Sequence, residues 1–233
     1  MTRPLRRRAL LRAGVGMGSA ARLGGAGASH ASGLWAASAL LLGLATVRKA
    51  YAGAQLEEPL AQSVRSALSA AVADAAPPRP VFERAEDRSA FSLWLARASQ
   101  KLQRYKSEGH VRAEFLEAAW YESRRAGLET ELVLGLIQVE SGFRKYAISS
   151  AGARGYMQVM PFWSRLIGDG EVSRLFHLQT NLRFGCTILR HYLDIEQGDL
   201  FLALGRYNGS RGKAPYPDAV LAARRGWTLG GPP

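Results

Sequence analysis

Apolar side chains return every three or four positions through most of the chain's second half, the period of an amphipathic helix. Trp94, Ala98, Leu102 and Tyr105 mark one such face, and Val111, Phe115, Ala119 and Ser123 mark a second. A third stripe, Val133, Leu136, Ile137 and Glu140, falls at i, i+3, i+4 and i+7 behind Thr130, a good N-cap residue. The pattern predicts a short helical segment around Met157 and a helix opening at Pro161 with Trp163 and Ile167 inward. It predicts three more helices over roughly 181–195, 199–208 and 219–224. No alternating strand pattern of useful length and no internal repeat interrupts this series. The expectation is one mostly α domain over 89–227, with a flexible tail at 228–233.

Ahead of that domain the pattern changes. Residues 53–73 are rich in alanine and only weakly helical, and Pro77-Pro78-Arg79-Pro80 breaks any helix, so 53–88 read as an Ala/Pro-rich linker. Residues 1–52 have the layout of an export signal: a basic start, an apolar run over 33–47 too short to span a bilayer comfortably, then Ala50-Tyr51-Ala52. Cleavage after Ala52 is the expectation, and an uncleaved N-terminal membrane anchor is its alternative. Arg7-Arg8 also resembles the start of a twin-arginine signal.

Charge changes this picture only slightly. A net charge of +12 suggests a partner that is a polyanion. Yet Arg3, Arg6, Arg7, Arg8, Arg12, Arg22, Arg48 and Lys49 lie in the leader, which carries no acid. Removing those eight from 31 Lys+Arg leaves 23 against 19 Asp+Glu, about +4. So mild an excess suits a polyanionic wall or a membrane surface and speaks against nucleic acid. Any contact with membrane is expected through the leader alone, if it is uncleaved. The single cysteine, Cys186, rules out an internal disulfide and shares an apolar face with Leu182, Leu189 and Leu193. Four scattered histidines lack metal-ligand spacing, so neither a metal nor a cofactor is expected.

The chemistry begins at Glu140. A carboxylate at the end of an apolar stripe aims at the protein interior, where burial disfavours its charged form and keeps a proton available. An ordinary, partly solvated glutamate at a fraying helix end is the plainer reading of that segment alone. Two further polar sets sit among apolar neighbours: Gly152-Ala-Arg-Gly155-Tyr-Met157-Gln158, and Ala203-Leu-Gly-Arg-Tyr207-Asn208-Gly209. Each has a bland reading too, as a glycine-rich connection and as an Asn-Gly helix stop.

Four blocks in order, Glu140-Ser-Gly-Phe143, Ser149 through Pro161, Asn181-Leu-Arg-Phe-Gly185 and Ala203 through Gly209, resemble the lytic transglycosylases with the SLT domain, a lysozyme-like fold related to goose-type lysozyme. The resemblance spans about residues 115–222. It implies cleavage of the β-1,4 bond between N-acetylmuramic acid and N-acetylglucosamine in peptidoglycan glycan strands, with Glu140 as the single acid and base. The muramic acid's own 6-hydroxyl would then close a 1,6-anhydro ring, without water. By the same resemblance Ser141 lies near the reacting centre, while Met157, Gln158, Tyr207 and Asn208 line the saccharide groove. Tyr207 is expected to bond Glu140, and Gly152, Gly155 and Gly185 to serve as shape residues. Tyr156 stands where the family more often has leucine, and His177-Leu-Gln-Thr180 where it often has Asp-Pro.

Two other functions stay open at this point. One is a hydrolytic muramidase on the same fold, which would need a second carboxylate such as Asp169 or Glu171. The other is a non-catalytic wall-binding or assembly factor of an envelope-spanning secretion or conjugation machine. The place of action under all three is the periplasm or cell envelope.

Overall fold

Helix α4 (Thr130–Glu140) is apolar around most of its circumference, and a helix of that kind has to be largely buried. Eight of its 11 residues are buried, Val133, Leu134, Leu136 and Ile137 completely. The computed structural model describes residues 55–73 and 80–229 and wraps seven further helices around this one. They are α1 (Gln62–Ala73), α2 (Ala85–Leu102), α3 (Gly109–Arg125), α5 (Pro161–Ile167), α6 (Leu178–Ile195), α7 (Leu200–Asn208) and α8 (Pro215–Arg225), with a 3-10 turn at Val172–Phe176. Among the described residues there is no strand, only isolated antiparallel bridges from Arg154 to Ile148 and to Val159. The expected all-α class is the observed one. The leader and its cleavage motif lie outside the described residues.

α8 packs along α4, α7 lies against both α6 and α8, and α3 bridges α2, α4 and α6. The α4–α8 contact depends on Gly135. A Cβ built there would stand 2.6 Å from the Arg224 backbone nitrogen, so no other residue lets the two helices come this close. The aromatic rings of Tyr105, Phe115 and Trp227 enclose Phe143, with centroids 4.7, 5.6 and 5.4 Å away. That enclosure holds Phe143 at φ 63, in the left-handed region that side chains disfavour, and so fixes the chain's exit from α4.

Four local expectations differ from the structure. Thr130 is already inside α4; its hydroxyl pairs with Ser123 Oγ at 2.8 Å, a buried bond that outbids capping, and Glu129 precedes the helix without a side-chain cap. The segment around Met157 is a turn closed by the Arg154–Val159 backbone pair, not a helix, because Gly155 and Gln158 both take positive φ. The stretch expected as a linker contains α1, which packs on α5 and α6, and α2 begins at Ala85. Leu229, expected in a free tail, packs against the core, and its carbonyl accepts from Arg97 at 3.1 Å.

Candidate active site

Glu140 is the last residue of α4 and only 2% exposed. Its Oε1 accepts a hydrogen bond from the Tyr216 hydroxyl at 2.5 Å. Pro215 opens α8 and sets its first turn, which leaves Tyr216 pointing inward from the second position with Val220 one turn behind it. Burial pushes the Tyr216 phenol well above its ordinary value, and the charge of Glu140 together with their hydrogen bond pushes it further. This phenol therefore stays a neutral O–H donor across the physiological range.

Tyr207 sits at the end of α7, fully buried, and its pKa is likewise raised well above the ordinary value, first by burial and then by Glu140. Its hydroxyl donates to the Met157 carbonyl at 2.8 Å. The donor that the structure shows on Glu140 is Tyr216, which the sequence expectation did not include in the site. The helix predicted over roughly 219–224 leaves Tyr216 outside it, whereas α8 begins at Pro215. The signal for Tyr216 was the i, i+4 pairing with Val220 on the last amphipathic helix, one turn longer at its start than the periodicity alone suggested.

The remaining predicted residues form a tight frame. Met157 is completely buried; its N–H donates to Asn181 Oδ1 at 2.7 Å, and Asn181 Nδ2 donates to Arg154 O and Leu175 O. Gly155 has φ 76, and a Cβ on it would strike Asn181 and Leu175 O at 2.4 Å. Gly185 gives way to Met157, whose sulfur would lie 2.4 Å from a Cβ there. Gln158 is 1% exposed, and its Nε2 donates to Gly155 O at 2.8 Å and Ala147 O at 3.1 Å. It ties the turn to the 147 segment. Ser141 is also buried, with Oγ donating to Ile137 O at 3.2 Å. Asn208 Nδ2 donates to Ser210 Oγ at 2.9 Å, while its buried Oδ1 has no partner among the described residues.

Of the two carboxylates that hydrolysis could call on, Asp169 is already engaged. Asp169 accepts from the Glu171 N–H at 3.0 Å and pairs with Arg174, and these donors hold its carboxyl below the usual range. Arg211, in the loop after Asn208, donates from Nε and Nη2 to Glu196 at 2.7 Å each.

The order of these parts along the chain is the deciding observation, because residues 117–216 match the family model of the transglycosylase SLT domain, from α3 to the Tyr216 that meets the acid. The chain carries a transglycosylase SLT domain. It is 31% identical over 107 residues to the membrane-bound lytic murein transglycosylase C of Actinobacillus pleuropneumoniae serotype 5b, covering 42% of this chain and 26% of that one. It is 49% identical over 53 residues to the protein of the same name from Mannheimia succiniciproducens, covering 22% and 15%. To the transglycosylase of Enterobacteria phage PRD1 it is 33% identical over 114 residues, covering 44% and 42%. The chain thus spans less than half the length of each. An inactive mutant of the lytic transglycosylase Slt from Pseudomonas aeruginosa superposes with a TM-score of 0.38 at 21% identity, over 60% of this chain and 27% of that one. Glu140, Met157, Gln158, Tyr207, Asn208 and Tyr216 all fall inside the SLT domain; α1, α2 and most of α8 lie outside it.

Proposed function

We propose that this protein is an exported lytic transglycosylase that cleaves the bond between N-acetylmuramic acid and N-acetylglucosamine in peptidoglycan and leaves 1,6-anhydro ends. The observation that carries this reading is the buried Glu140 carboxyl, inside the SLT domain, held by the neutral phenol of Tyr216. Removing a carboxyl from water favours its protonated form, which is the form an acid catalyst needs before the reaction.

In the first step Glu140 gives its proton to the glycosidic oxygen, the bond from that oxygen to the muramic C1 breaks, and the N-acetylglucosamine 4-hydroxyl leaves. In the second step the carboxylate takes the proton of the 6-hydroxyl while that oxygen bonds to C1. Glu140 ends protonated, and no water is consumed. Tyr216 keeps one carboxyl oxygen fixed through both steps. The end of α7 and the Met157–Gln158 turn, joined by the Tyr207 bond, form the frame against which the glycan strand lies. Its place of action is the periplasm or cell envelope, supported by the export-like leader and by relatives whose names include the words membrane-bound and murein.

The test is mass analysis of peptidoglycan digested by the wild type and by Glu140→Gln. The expected products carry the 1,6-anhydro ring, and the variant loses about a thousandfold in turnover while still binding wall. Reducing ends without the ring would make the protein a muramidase. Binding with no cleavage by the wild type would make it an assembly factor.

A further inference from the structure

The part of the chain that sequence reads as a spacer behaves as a component of the site. Gln55 lies far ahead of the SLT domain, yet it is 4% exposed. Its Oε1 accepts from Trp163 Nε1 at 2.9 Å. Its Nε2 is buried without a hydrogen-bond partner among the described residues, so the bond from Trp163 is what holds this amide inside. Trp163 meets the ring of Tyr192 edge-on at 6.2 Å, and Tyr192 meets Tyr207 edge-on at 6.4 Å. Tyr207 in turn holds the carbonyl of Met157.

A second line runs from the same segment to the other side of α7. Glu58 receives Arg206 Nη1 at 2.7 and 3.0 Å. Arg206 Nε reaches Glu196 at 2.8 Å, and Glu196 grips Arg211 in the loop that follows Asn208. α1 anchors the whole segment: Leu68 enters the core, and Arg125 donates to the Ala71 carbonyl. Residues 55–73 therefore reach α7 along two lines, to Tyr207 through the rings of Trp163 and Tyr192 and to Arg206 through Glu58.

We propose that residues 55–73 are a working part of the catalytic unit, with Gln55 the positioning residue that sets Tyr207 and, through it, the Met157–Gln158 turn. The activity readouts rest on the transglycosylase reading above. Gln55 touches no reacting atom. It acts by fixing where the α7 end and the turn stand relative to Glu140, a kind of displacement to which turnover is more sensitive than binding.

The experiment uses the full chain with Gln55→Leu, which removes the amide at similar volume, and Gln55→Glu, which keeps an acceptor for Trp163 but puts a carboxylate oxygen where the buried Nε2 stands. Each is expected to lower kcat on peptidoglycan about tenfold with KM changed less than about twofold. Hydrogen exchange should quicken at residues 155–159 and 206–208. Combined with Tyr207→Phe, Gln55→Glu should add little further loss, since both act through the placement of Tyr207. Unchanged kcat and exchange in both Gln55 variants would overturn the proposal, as would losses that multiply in the double variant. Gln55→Glu decides the matter if Gln55→Leu does not fold. Should the wild type release no anhydro products, the transglycosylase reading fails, while exchange at 155–159 still decides the role of Gln55.

Discussion

Two of the glutamates buried among the described residues, Glu122 and Glu140, are met by different kinds of neighbour. Glu122 on α3 is fully buried and faces cations: Arg183 Nε and Nη2 reach its Oε1 at 3.1 and 2.9 Å, Arg125 stands 3.6 Å from Oε2, and the Gln179 amide adds a further donor. Glu140 on α4 is reached by a phenol that stays neutral. A guanidinium rewards only the ionised carboxylate, so the Glu122 cluster ties α3 to α6 and has no use for a proton. A hydroxyl can donate to a carboxylate or accept from a carboxylic acid, so Glu140 keeps a bonding partner in either state. Burial alone does not mark a catalytic acid. The chemical nature of the neighbour separates the structural glutamate from the one proposed as the acid.

The comparison can be broken at several points beyond the loss of the acid itself. The largest further effect is expected from Glu122→Ala, which strands buried guanidinium charge and should cost about 3–5 kcal/mol in denaturant unfolding. Cleavage by the fraction that remains folded should be normal; a variant that was stable yet inactive would erase the distinction between the two sites. Next comes Tyr216→Phe, expected to lower turnover about tenfold at a stability cost of about 1 kcal/mol. Losing this donor to the carboxylate should also move the alkaline fall of the pH–rate profile upward. A profile that stayed in place would mean that the phenol merely fills space.

The smallest effect concerns Glu196, whose carboxyl the Arg211 and Arg206 bonds hold down at about 2, against an ordinary 4.5. The stability it supplies is complete above about pH 4.5 and drains away as the pH falls toward 2. Thermal midpoints measured across that window should fall more steeply for the wild type than for Glu196→Gln.

Much of this arrangement is legible in the residues. The apolar stripe ending in Glu140 predicts an inward carboxyl because helical period alone decides which face is buried, and the structure places it at 2% exposure. Cys186 falls in the core for the same reason, with its thiol pushed up by burial. Tyr216 was not legible as the partner of Glu140, since that contact joins residues 76 positions apart and depends on how closely α8 approaches α4. Gln55 escaped for a different reason: polar side chains carry no period, and only the tertiary fit reveals that one of them is inside. The turn at Met157 was misread as helix because its apolar content is helical while its backbone, at Gly155 and Gln158, is not.

Gly135 carries one more consequence. Glycine in mid-helix is about 1 kcal/mol worse than alanine, so any scheme for making the protein more heat-resistant would replace it early. Here the added methyl would meet the α8 backbone at 2.6 Å and lever away the helix that delivers the Tyr216 phenol. The helix that presents the acid is thus kept below its own best stability, and that shortfall is built into the position of the site.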